Sequence, residues 1–347
     1  MKNIGALLFF FLLFIYSCTD SKPSSTAEQK RYGIIFDTDL GNDIDDVLAL
    51  QMILNYAAHG KCDLLGVTIS KDHPRVIDYV DSYCAINGFD SLPLGYAYGG
   101  SDIGGNRECG KYVCKTLDTI IDGKAILPPN REMSGGDIQE GYKIMRKALA
   151  LQPDSSVVII TVGFATNLQR LLRSKPDQYS DLEGGELVRK KVRLLSIMSG
   201  TYNNDTFNNP EWNILQDLDA ARQVFDGWPT QVVASGSEVG IRLLYPHESI
   251  INDYPGGEKH PLCVSYKLFE NIPYDRPSWD LTSVLYAIEP NQSYLHKSSA
   301  GKISIDEKGF SKFTPDPDGL HHYLILKKRE ISQALDRIVE VTTMIRE

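Results

Sequence analysis

The sequence predicts an α/β fold with a mostly parallel central sheet and helices on both faces. Three observations predict it. Short β-rich runs alternate with amphipathic stretches along the chain, the pattern of repeated β-α-β units. The 347 residues suffice for one large α/β domain, and no internal repeat or clear domain boundary interrupts them. Two Gly- and Asn-rich stretches, 99–110 and 201–210, read as long functional loops, not linkers.

The elements follow in order. Residues 32–36 (YGIIF) read as a buried strand entering an acidic loop, and 47–58 as the next helix. Residues 64–69 form a second strand. Pro74 opens a second helix, 74–86, where its missing N–H costs nothing. The apolar run 157–162 is a strand, followed by a turn and a helix at 167–172. Residues 192–198 are another strand, 219–225 a helix and 230–234 a further short strand. Residues 281–288 are helical, the stretch 302–326 is hairpin-like, and 328–345 is a long amphipathic helix. Ligands of parallel sheets bind at the carboxyl ends of strands. The segments after Phe36, Ile69, Val162 and Met198 are therefore expected to meet at one site.

The first 30 residues are read as targeting sequence. Lys2 and the apolar stretch 4–15 make a signal peptide, too short to span a bilayer. Ile15-Tyr16-Ser17-Cys18 resembles the bacterial lipobox. The expectation is a signal peptide at 1–17, a lipidated Cys18, a Ser-rich tether at 18–30 and a catalytic domain at 31–347. That implies an exported protein anchored to the bacterial envelope, touching membrane through its lipid alone. The formal net charge of -9 and the lack of a basic, aromatic-rich patch argue against nucleic acid. Besides Cys18, five cysteines remain. Cys109 and Cys114 either close a small ring or stay free like the others. No Cys/His spacing suits zinc.

The strongest signal is DTDLGNDIDD, residues 37–46, with five carboxylates in ten positions directly after an apolar strand. Such crowding repels itself unless a cation sits among the charges or some groups are protonated. All-oxygen ligands favour a hard ion, Ca²⁺ or Mg²⁺. An EF-hand reading fails, because Gly41 occupies the fifth loop position. A phosphatase of the strand-Asp-x-Asp type would carry Thr or Val where Gly41 stands, and would need a lysine and a later acidic pair that the sequence does not let us place.

The run resembles the signature of the inosine/uridine-preferring nucleoside hydrolase family, an Asp-x-Asp-x-Gly turn followed by Asp-Asp and an apolar helix. Here two residues are inserted between Gly41 and Asp45. Three more segments resemble family motifs in order: Thr161 to Leu168 (TVGFATNL), Pro210 to Ile214 (PEWNI) and Ser278-Trp279-Asp280. The resemblance implies a Ca²⁺ site made of Asp39, Asp46, Asp280 and the Val162 carbonyl, with Thr166 as the alternative carbonyl. It implies that Asp39 is the general base. Asp45, or Asp43 in its place, would bind a ribose hydroxyl. Asn203, Glu211, Trp212 and Asn213 would complete the substrate site.

The implied reaction is hydrolysis of the N-glycosidic bond of purine nucleosides or related ribosides. It passes through an oxocarbenium-like transition state. The alternative is a non-catalytic, calcium-dependent nucleoside- or sugar-binding lipoprotein on the same fold. Many members carry His before the late Asp; Trp279 stands there, which implies a purine-preferring subgroup that stacks aromatics on the base. Tyr96, Tyr98 or Tyr112 are the candidates for a second aromatic. Ser70-Lys71 replaces an Asn of the family and would place a cation near the ribose. The resemblance also suggests a homo-oligomer.

Overall fold

Successive residues of a strand face opposite sides of its sheet, and the first strand shows what that does here. Ile34 and Phe36 enter one hydrophobic core, and Ile35 between them enters the other. Val158 and Ile160 likewise separate from Val157 and Ile159. Strands this apolar on both faces need helices on both sides. The computed structural model has that arrangement, and it describes residues 31–101, 103, 105, 107–131, 139–202 and 209–345. The signal peptide, the tether, Cys18 and Asn203 lie outside the described residues.

The main sheet has ten strands: β1 (Gly33–Thr38), β2 (Asp63–Ile69), β3 (Leu94–Tyr96), β4 (Val157–Thr161), β5 (Val192–Met198), β6 (Gln231–Ser235), β7 (Leu295–Lys297), β8 (Gly301–Ile305), β9 (Ser311–Pro315) and β10 (His321–Leu326). Their order is β9-β8-β10-β6-β5-β4-β1-β2-β3, with β7 beside β10. From β6 to β3 every pairing is parallel. β10 joins β6 in parallel, and the remaining late strands pair antiparallel.

The order reverses between β1 and β4. β1 is followed in sequence by β2 on one side, while β4 pairs on its other side. Such a switch point opens a crevice at the strand ends. The acidic loop leaves β1 there, opposite Val162 at the end of β4.

Helix Asp45–Ala58 is buried from Asp45 through Tyr56. It is apolar nearly all round (DDVLALQMILNYAA), which suits a helix enclosed by others. It packs against helices Trp279–Ile288 and Ile331–Thr342. Asn55 donates to the carbonyls of Val341 and Thr342 at 2.8 and 2.9 Å, holding the end of the last helix. The expected 328–345 helix is a short 3-10 turn, Lys328–Glu330, leading into Ile331–Thr342. Elements that the sequence reading did not place include β3 and the helices Gly141–Leu151, Gly184–Lys191 and Pro261–Phe269. Cys109 and Cys114 form a disulfide, while Cys62, Cys84 and Cys263 are buried and free. Among the described residues, no helix is long and apolar enough to cross a membrane.

Candidate active site

The loop after β1 must turn sharply to enter helix Asp45–Ala58. Gly41 takes φ +114°, a region that side chains with a Cβ rarely adopt. Its N–H donates to the Tyr112 hydroxyl at 3.0 Å, and that hydroxyl donates to the Asp43 carbonyl at 2.8 Å. Tyr112 is thus a buried brace for the loop, not an aromatic face of the site. On the far side, Gly163 lets β4 approach the loop. A Cβ there would lie 2.5 Å from the Asp39 nitrogen and 2.4 Å from the Ser70 hydroxyl.

The loop and three other strand ends enclose a cavity of about 250 Å³. Asp39, Asp43, Asp45, Asp46, Val162, Glu211, Trp212, Asn213, Trp279 and Asp280 all line it. These ten expected residues therefore converge there, whereas Lys71, Thr166, Tyr96, Tyr98 and Tyr112 do not line the cavity. Asp45, Asp46 and Asp280 each bring one carboxylate oxygen within 4.8 Å of the other two, and all three are buried. Burial, and then repulsion from neighbouring carboxylates including Asp43, push their carboxyls well above the usual carboxylate range. A hard divalent cation relieves both costs, so the donor set fits one.

Asp46 and Asp280 belong to the expected ligand set. Asp45, expected on the ribose, supplies the third oxygen of the trio. Asp39 and the Val162 carbonyl line the same cavity outside it. The Val162 oxygen accepts a hydrogen bond from Asn213 Nδ2 at 2.9 Å.

Asp39 is buried, and burial together with the Asp43 charge raises its carboxyl to about 6. Two partners oppose that rise. Asn42 Nδ2 donates to Asp39 Oδ2 at 2.8 Å, and the Lys71 charge lies behind it. Lys71 is fully buried and donates to Asn42 Oδ1 at 2.6 Å. It therefore backs the acidic loop through Asn42 and does not line the cavity. Asp37 is also buried, raised to about 7 by desolvation, and accepts from Thr68, Thr161 and Asn167 at 2.6–2.9 Å. Those bonds tie β1 to β2 and β4 beneath the site.

Glu211 caps helix Trp212–Gln216, accepting from Asn213 N at 2.7 Å, Ile214 N at 3.2 Å and Gly200 N at 3.3 Å. Burial lifts its carboxyl to about 7. Trp212 is 52 % exposed at the cavity, whereas Trp279 is half-buried. The Trp279 indole N–H donates to the Ser237 carbonyl at 3.0 Å.

Arg276, like Asn42, is a site residue that sequence reasoning missed. Its Nε donates to Asp43 Oδ1 at 2.8 Å and its Nη2 to Asp43 Oδ2. Its guanidinium carbon lies 5.2 Å from the Trp279 ring centroid and 4.9 Å from that of Phe269. The available signal was charge balance: a lone basic residue four positions before Asp280. No histidine lines the cavity among the described residues. His73 and His260 cap helices, and His321 accepts from the Ile303 N–H.

A buried acidic cavity with aromatic walls, at the switch point of a parallel sheet, defines a small-molecule α/β enzyme. Residues 34–310 match the model of the family "Inosine-uridine preferring nucleoside hydrolase", and the chain belongs to that family. The protein is accordingly a hydrolase acting on N-glycosyl bonds, in a family that depends on a metal, usually calcium. Three solved structures are similar. An inosine-guanosine nucleoside hydrolase shares 17 % identity at a TM-score of 0.67, over 90 % of this chain and 99 % of its own. A purine-preferring ribonucleoside hydrolase from Gardnerella vaginalis shares 15 % at 0.66, over 90 % and 100 %. A plant nucleoside hydrolase shares 15 % at 0.64, over 90 % and 99 %. Comparison with curated proteins gave no significant match.

Proposed function

We propose that this protein is a calcium-dependent nucleoside hydrolase that prefers purine nucleosides and is exported and held to a membrane by a lipid on Cys18. The observation that carries the reading is the buried trio Asp45, Asp46 and Asp280 beside Asp39, in one cavity. Asp45, Asp46 and Asp280 would hold the cation. When bound, it supplies Lewis-acid polarisation of water and hydroxyl oxygens.

The chain's own residues do the rest. Asp39 takes the proton of the attacking water. It lines the cavity beside the trio, where a water held by the cation would lie within its reach. Asn42 fixes its orientation. A carboxylate offers roughly four acceptor positions; three backbone donors occupy Glu211, which leaves room for a substrate hydroxyl. Asn213 Oδ1 accepts no hydrogen bond among the described residues and serves the same end of the sugar. Trp212 and Trp279 give the planar base apolar walls. The larger face of a purine gains more from them than a pyrimidine does. Two of the similar structures are an inosine-guanosine hydrolase and a purine-preferring ribonucleoside hydrolase, which supports this preference.

Ribose release from inosine, guanosine, adenosine, uridine and cytidine, with and without chelator, tests the reading. Purine nucleosides should be cleaved fastest, and chelation should abolish the activity. Faster cleavage of uridine would overturn the purine preference, and full activity in chelator would overturn calcium dependence. For the anchor, Cys18→Ala should move the protein from the membrane fraction to the soluble one. Unchanged fractionation of that variant would refute it.

A further inference from the structure

A base leaving a ribosyl carbon carries off the bonding electron pair and must be stabilised as it goes. The cavity holds no ordinary acid for this. No histidine or lysine lines it among the described residues, and its carboxylates are taken up by the cation, the water, the sugar and Arg276. The Trp279 indole N–H does not ionise in the working range, and it is already bonded to Ser237.

Arg276 is the one cation among the described residues that line the cavity. Three constraints hold its guanidinium: the two-pronged bond to Asp43, the Trp279 ring and the Phe269 ring. Its backbone N–H is fixed as well, on the Tyr266 hydroxyl at 3.1 Å. The bond to Asp43 uses Nε and Nη2. Nη1 makes no hydrogen bond among the described residues. A clamped, planar donor with one unused edge, beside an aromatic wall, is organised before substrate arrives. That is the condition under which charge stabilisation is strongest.

We infer that Arg276 is the leaving-group residue, with Nη1 donating a hydrogen bond to the departing base as negative charge develops on it. The inference rests on the N-glycosyl hydrolase reading of the cavity. The water oxygen bonds to C1′, and its proton goes to Asp39. The C1′–N bond breaks, and its electron pair passes to the base. The base leaves as an anion paired with the guanidinium and takes a proton from solvent, while Asp39 returns its proton to solvent. Arg276 stays charged throughout, so it acts by charge and not by proton loss. Asp43 is then the positioning residue that sets the plane of the guanidinium.

The test compares inosine with 4-nitrophenyl riboside, whose phenolate leaves without help. Arg276→Gln should lower kcat on inosine by about 100-fold and leave the nitrophenyl substrate within about 3-fold, because the lost stabilisation matters only to a poor leaving group. Arg276→Lys, which keeps the charge and loses the fork, should fall between. Equal losses on both substrates, or no loss on inosine, would overturn the inference and leave Arg276 a brace for Trp279. If the Gln variant does not fold, the same ratio in the Lys variant decides. A wild-type protein that cleaves neither substrate overturns the underlying reading, and this inference with it.

Discussion

Asp280 donates its backbone N–H to the Asp45 carboxylate at 3.2 Å, across 235 positions of sequence. Both residues sit in the first turn of a helix, Asp280 in Trp279–Ile288 and Asp45 in Asp45–Ala58. Two helix N-termini therefore face the same acidic centre. Their dipoles favour negative charge there by about 0.3–1 kcal/mol each. That does not offset burial and like-charge repulsion, since Asp45, Asp46 and Asp280 all remain raised.

Calcium should therefore stabilise the fold as well as support turnover. Binding to the native state alone adds about 2.7 kcal/mol at a hundredfold excess over Kd. The melting temperature should rise with calcium and fall back with chelator. Asp280→Asn should weaken both the calorimetric affinity and this shift. A melting temperature indifferent to calcium would exclude the trio as a calcium site.

Lys71 should matter to rate more than to substrate affinity. It reaches Asp39 through Asn42 and by its charge. Lys71→Met removes the donor that holds Asn42 and frees the carboxylate to turn. Small misplacements of a reacting group cost up to about 100-fold, so kcat should fall by roughly 10- to 100-fold with KM nearly unchanged. A KM effect larger than the kcat effect would place Lys71 on the substrate instead.

The parallel sheet and most of the residues that line the cavity were legible because their signals are local. An apolar strand running into five carboxylates marks itself, and so do helices such as 47–58 with apolar residues at helical spacing. Arg276 was not legible, because its meaning lies in Asp43, which is 233 positions away. Lys71 stood out in the sequence, yet only the fold shows that it lies behind Asn42. Trp212, already expected in the substrate set, is the aromatic that shares the cavity with Trp279, and none of the three candidate tyrosines lines it. The helix Gly141–Leu151 escaped because it follows a stretch without a clear periodic start.

Acid should unfold the protein partly through Glu289. Its carboxylate accepts from Tyr56 at 2.9 Å and from Arg337, joining three packed helices. These bonds hold its carboxyl below the usual glutamate range despite partial burial. A depressed pKa contributes stability that is present above the unfolded value and lost as pH falls through the folded one. Glu289→Gln should cost about 1–3 kcal/mol at neutral pH and flatten the acid limb of the stability curve below pH 4.5. Denaturant titrations of both proteins at pH 7 and pH 3.5 would show it. A constant difference between them would assign the loss to packing alone.

Trp212 should supply the base with its stacking surface. The Trp279 ring is engaged by Arg276 over its face and by Ser237 at its N–H. Trp212 lines the same cavity while 52 % exposed, so substrate can cover a large apolar area there. Stacking of a base on an aromatic ring is worth about 1–3 kcal/mol, or roughly 5- to 150-fold in affinity. Trp212→Ala should raise KM for inosine within that range, and Trp212→Phe should recover most of the loss. Inhibition by free ribose should stay unchanged, because the proposed sugar contacts are Glu211, Asn213 and the acidic centre. The melting temperature should hardly move, since a half-exposed ring contributes little to the core and the Glu211 cap is untouched. An equal loss of ribose affinity would mean that Trp212 shapes the sugar site through its helix, and the stacking role would fall.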